Sequence, residues 1–153
     1  MADDRRLLPP SLHHDEFRPV SSLIALLRST LAVLLGYVVF AASAFAVFRL
    51  AGYAPHAAVP ASFRLVSVVL GVVFAVAGGY VAAWVAGRRP WAHGIAVAAL
   101  LALGAAVSLA MTLGRGAVWS QVAALVLMAP GAVAGGWIRA RRGGAPLASR
   151  FHD

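Results

Sequence analysis

Four long uncharged runs, each closed off by arginine, constrain this chain more than any other feature. Ser29 to Phe48 is 20 residues between Arg28 and Arg49, and Leu65 to Gly87 is 23 residues between Arg64 and Arg88. A third run starts at Pro90 and lasts to Arg115, and a fourth, Gly116 to Ile138, stops at Arg139, Arg141 and Arg142. Coiled into helices at about 1.5 Å per residue, each covers the ~30 Å hydrocarbon core of a bilayer. The expectation is an all-α integral membrane protein, a four-transmembrane-helix bundle with spans near 29–48, 65–87, 91–113 and 116–138. Around this membrane domain, 21–142, lie a polar arm, 1–20, and a short tail, 143–153. A chain that is 61% hydrophobic and 12% charged has too much apolar surface for a soluble core of 153 residues.

The arginines also predict the threading. Arg5, Arg6, Arg18, Arg28, Arg88, Arg89, Arg139, Arg141, Arg142 and Arg150 fall on one side of four spans, against Arg49, Arg64 and Arg115 on the other. Basic residues accumulate on the cytoplasmic side, so both termini are expected there. Trp84, Trp91 and Trp137 then sit at the inner interface and Trp119 at the outer one, as amphipathic indoles do. The arginines punctuate apolar runs instead of clustering on one face, which argues against nucleic acid as a partner. Abundant Ala, Gly, Arg and Pro with no Lys suits a GC-rich bacterial genome, hence a bacterial inner membrane.

The arm carries four of the five acidic residues with three prolines, and is expected to be solvated. Arg5 and Arg6 lie too far from the first apolar run for a twin-arginine signal. Ser21 or Ser22 is a candidate cap for helix 1. A competing reading makes Leu31 to Phe40 a signal-peptide core cleaved after Ala42-Ser43-Ala44. His13 and His14, beside Asp15 and Glu16, have ligand chemistry, but no second cluster exists to complete a metal shell.

Helices 2 and 3 are joined by the tight turn Arg88-Arg89-Pro90, so they must form an antiparallel hairpin, with Pro90 at a position where its missing N–H costs nothing. Small residues recur every fourth position along both: Gly71, Ala75, Gly79, Ala83 and Gly87, then Gly94, Ala98, Ala102, Ala106 and Ala110. Such ridges let backbones approach closely in lipid, and these two are expected to face each other across the hairpin. A spacing of four drifts about 40° per step around the helix, so a straight partner meets only part of each ridge. Gly131 and Gly135 add a GxxxG to helix 4, and Pro130 should kink that helix and free a carbonyl. The segments AVAGGYV, 75–81, and AVAGGWI, 132–138, suggest two parallel two-helix repeats.

No Asp, Glu, Arg or His stands in the middle of any span, although ion and proton pathways usually display one. The polar residues within are Ser43, Ser67, Ser108, Ser120 and Gln121, of which Gln121 is the best contact between helices. His93 and the Arg88–Arg89 pair are expected at headgroup depth, as hydrogen-bonding and lipid-facing groups. With no Cys, no nucleophile and base, no paired carboxylates and no phosphate-cradling loop, the expectation is no enzyme, no cofactor and no metal.

Across GGYVAAWVAGRRPWAHG, Gly78 to Gly94, the chain resembles small four-span bacterial membrane proteins of unknown function, with their Gly-Gly-aromatic helix end, arginine turn and His after Pro. That resemblance implies the layout and no activity. The functional expectation is a non-catalytic accessory or scaffold subunit in the lipid bilayer, packing its small-residue faces against itself or a larger membrane complex. The alternatives are a small oligomeric transporter or channel, and a lipid-interacting protein working through the arginine turn and the arm.

Overall fold

The computed structural model describes residues 18–54, 59–112 and 118–143. Four helices are long and apolar enough to cross a membrane, and no strand occurs among the described residues. Helix 1 is Arg18–Leu50, helix 2 is Ala61–Ala86 and helix 3 is Pro90–Thr112. Helix 4, Trp119–Gly143, opens as α-helix over Trp119–Ala123, widens to a π-helical turn over Ala124–Met128, and returns to α-helix over Ala129–Gly143.

Helix 1 starts within the expected arm and runs through Ser21 and Ser22, so neither caps it. Its 33 residues give a rod of about 50 Å, well beyond the hydrocarbon core. Bracketing arginines delimit what lies in lipid, not where a helix begins. Pro19 in the first turn does no harm, and nothing between it and Arg28 breaks the helix. The arm's remaining features, Arg5, Arg6 and the His13 to Glu16 cluster, lie outside the described residues, as does the tail beyond Gly143.

Pro130 acts as a widening of the coil. Lacking an N–H for the Val126 carbonyl, it is preceded directly by the π-helical turn, and the Ala129 N–H reaches back to the Ala124 carbonyl.

Gly71, Gly79 and Gly94 of the two small-residue ridges face helix 4 and not each other. Helix 2 turns its ridge toward helix 4: a Cβ on Gly79 would collide with the Ala132 carbonyl, and one on Gly71 with the end of Met128. Gly135 answers from helix 4, against the Val76 carbonyl and the Tyr80 amide of helix 2. Helix 3 also approaches helix 4, with Gly94 and Gly136 in backbone contact. Helix 1 docks on helix 2 through Gly36, where an added Cβ would lie 2.5 Å from the Gly78 carbonyl. The turn explains the correction. It holds the neighbouring ends of helices 2 and 3 together, but helix 4 lies against both and takes the small faces of each.

Along these ridges Gly71, Ala75, Gly79, Ala83, Gly94, Ala98, Gly131 and Gly135 are buried. Ala102 is half-buried against the core, whereas Ala106 and Ala110 are exposed, as the angular drift of the spacing requires. Gly87 is exposed and serves as the left-handed cap of helix 2, at φ 70°.

The two AVAGG copies lie side by side on the parallel helices 2 and 4, in the register their sequence offset dictates. Their glycines exchange partners, however. Gly78 meets helix 1 and Gly79 meets helix 4, whereas Gly135 meets helix 2 and Gly136 meets helix 3. Helix 3 lies against all three other helices while helix 1 lies against helices 2 and 3, so the two hairpins are packed inequivalently.

Candidate functional site

The arginine-rich end of the bundle is built around the turn between helices 2 and 3. Helix 2 stops at Gly87, whose N–H bonds the Ala83 carbonyl, and Arg28 of helix 1 donates from Nε to the Val85 carbonyl at 3.0 Å. A cation thus covers the carbonyl end of helix 2, where the helix dipole is negative. Arg89 takes a left-handed φ of 43° directly before Pro90, a conformation costing a non-glycine residue of order 1 kcal/mol. What holds it is the Arg89 carbonyl, which accepts from the Ala92 N–H at 3.0 Å and from His93 Nδ1 at 3.1 Å. His93 is buried and turned back to its own helix start, so its role is to lock the turn.

From this turn a groove of about 920 Å³ runs between helices 1 and 3. Arg88, Arg89, His93, Ser29 and Thr30 form its mouth; Val33, Leu34, Ala96, Ala99, Leu100 and Leu103 form its trough. From Arg89 to Leu103 helix 3 rises about 20 Å, close to half the ~40–45 Å thickness of a bilayer with its headgroups. The groove is therefore one leaflet deep, cationic at the surface and apolar toward the midplane.

Among the described residues nothing acidic lies at this end. All five carboxylate residues lie outside the described residues, whereas Arg28, Arg88, Arg89, Arg139, Arg141 and Arg142 lie inside them. Arg141 stacks over the Trp137 ring at 3.8 Å, and the enclosed Nε of Arg139 has no hydrogen-bond partner among the described residues. Trp84, Trp91 and Trp137 are exposed at the same end. At the opposite end Arg64 lies 5.6 Å from the Trp119 ring, and Phe63 packs edge-on against Phe48 and beside Tyr53.

Toward that opposite end a second cavity, of about 240 Å³ and partly open to the outside, lies between the helices and shares no lining residue with the groove. All four helices line it. Gln121, only 3% exposed, donates from Nε2 to Ser108 Oγ of helix 3 at 3.4 Å and accepts from Ser120 Oγ at 2.9 Å. Ser67 donates to the Arg64 carbonyl of its own helix.

No group of three or more metal-ligating side chains occurs among the described residues. Sequence reasoning named Arg88, Arg89 and His93 for this region but not Arg28, Ser29 and Thr30, which helix 1 brings alongside. The available signal was the placement of these polar residues one after another at the start of the first apolar run. No family model, curated protein or solved structure matches the chain.

Proposed function

We propose that this is a non-catalytic membrane protein that holds an anionic phospholipid in the groove between helices 1 and 3, in a bacterial inner membrane with both termini cytoplasmic. The observation carrying this reading is the match between the groove and one leaflet: arginines at headgroup depth, with no carboxylate among the groove's lining residues, and an apolar trough of acyl-chain length below. Juxtamembrane arginines gain about 1 kcal/mol each against an anionic surface, so two at the mouth favour a phosphate without a dedicated cage. Ser29 and Thr30 offer hydroxyls to the phosphate or glycerol oxygens, and Arg28 stays engaged with helix 2. The arginine asymmetry supports the orientation.

Native mass spectrometry of the full chain, during stepwise removal of lipid by detergent, tests this. The wild-type protein should retain phosphatidylglycerol in preference to phosphatidylethanolamine, and an Arg88→Gln/Arg89→Gln variant should lose that preference. Equal retention of both lipids by the wild type removes the reading.

A second reading, an accessory subunit of a larger membrane complex, rests on helix 1. Only 11% of its span window is buried, against 44% for helix 4, so it offers the most open apolar face. Gly71, Gly79, Gly94 and Gly135 of the small-residue ridges are occupied within the bundle, whereas Ala106 and Ala110 remain exposed. Co-purification of a stoichiometric partner that is lost when Leu31 and Leu35 are replaced by bulkier tryptophan favours this role.

A further inference from the structure

We infer that the cavity around Gln121 is a second binding site, for a compact neutral amphiphile with a hydroxyl or carbonyl at one end. Its walls separate into two chemistries. Tyr37, Phe40, Phe48 and Phe74 supply an aromatic, largely apolar wall, while the Gln121 amide is joined to the hydroxyls of Ser108 and Ser120, and Ser67 adds a further hydroxyl to the lining. Ligand sites are typically concave and apolar with a few convergent polar groups, and this one has that form.

Packing alone does not account for the arrangement. An amide joining two helices works best where the helices touch, as they do near the arginine turn, yet Gln121 and Ser108 line a void. The wide turn of helix 4 borders the void. Ala124 and Met128, the two ends of the π-helical segment, both line the cavity, and Met128 reaches across to Gly71. π-helical turns recur at functional sites because they trade regular bonding for a local change of shape.

The lining also selects the ligand. It carries no side chain that is charged at neutral pH, so an anion or cation entering it would lose hydration without a counter-charge. A neutral hydroxyl or carbonyl would instead join the amide and hydroxyl network, and at about 240 Å³ the space takes a compact chain, not a phospholipid. The site is thus distinct in ligand charge, depth and lining from the arginine groove.

Trp119 lines this cavity and supplies the readout. In the full chain with the exposed Trp84, Trp91 and Trp137 changed to Phe, Trp119 is the sole indole. A terminally brominated medium-chain alcohol should then quench its fluorescence saturably, and the matching brominated carboxylate should bind more weakly. Gln121→Leu should weaken the alcohol by about tenfold, the worth of one buried hydrogen bond. Gly104→Leu, whose added Cβ would sit 3.7 Å from the Tyr37 hydroxyl, should fill the space, abolish saturable quenching and leave the unfolding midpoint in place. Quenching that rises without saturation, identically in the parent and in Gly104→Leu, would mean partition into the micelle alone and would overturn the assignment. Should Gln121→Leu fail to fold, Gly104→Leu still decides, since it leaves the polar cluster intact.

Discussion

The two halves of this bundle are made of the same apolar residues yet pack in opposite ways. Near the arginine turn, Gly36, Gly78, Gly79, Gly94, Gly135 and Gly136 bring four backbones into contact. Toward the other end, Phe40, Phe74, Leu101 and Met128 line a cavity between the helices. In lipid, helices are joined by van der Waals contact and by hydrogen bonds, not by hydrophobic drive. The glycine contacts serve the first, and at the cavity end Gln121 and Ser108 add the second. The glycine-packed half underlies the arginine groove, and the other half carries the second cavity.

The largest expected effect tests the glycine-packed half. Gly79→Leu or Gly135→Leu should cost at least about 3 kcal/mol, because the new side chain meets backbone that cannot give way. Gly104→Leu, in the cavity half, should stay within about 1 kcal/mol in the same denaturant titration in mixed micelles. Equal losses at positions 79 and 104 would erase the distinction between the halves.

Next in size is Gln121→Leu, expected to cost about 1 kcal/mol, a typical value for an interhelical hydrogen bond in lipid. A loss comparable with Gly79→Leu would mean that the amide, not the glycine seam, holds the bundle. Arg28→Ala should cost about 0.5–1 kcal/mol through the uncovered carbonyls at the end of helix 2, and Arg28→Lys should recover part of it. Hydrogen exchange localised to residues 83–87 reads that effect directly. Smallest of all, Arg88→Gln/Arg89→Gln should move stability by no more than about 0.5 kcal/mol, both side chains being exposed, while removing the preference for anionic lipid.

Those same contrasts mark what was legible in the sequence. The four helices follow from arginine punctuation, since a charge is costly at the bilayer centre and runs of this length have one use. The small residues at 71, 75, 79 and 94 were visible as ridges, but composition does not say which neighbour a ridge meets. Two ridges next to each other in sequence suggested the hairpin, and the actual partner, helix 4, comes from the far end of the chain. Matching AVAGG segments pointed to parallel helices at one depth, yet their exchange of glycine partners depends on rotations of a few tens of degrees that no motif records.

At the arginine turn, Arg88, Arg89 and His93 were identifiable from position alone. The capping role of Arg28 was not, because it joins residues 57 apart through a main-chain carbonyl that every residue possesses. Pro130 announced a disturbance in helix 4 without saying that it would take the form of a π-helical turn. The cavity was the least legible feature. Tyr37, Ser67, Gly104 and Gln121 come from four different helices, and a void is defined by what fails to fill it.

The most direct test of the lipid groove is photolabelling in nanodiscs with a phosphatidylglycerol that carries a diazirine on its acyl chain, with cross-linked residues mapped by peptide mass spectrometry. The account predicts labels concentrated on Val33, Ala96, Ala99 and Leu103, and lost from them in Arg88→Gln/Arg89→Gln. Labels spread evenly over the lipid-facing residues Leu26, Val69 and Val122 as well, and unchanged in that variant, would contradict it.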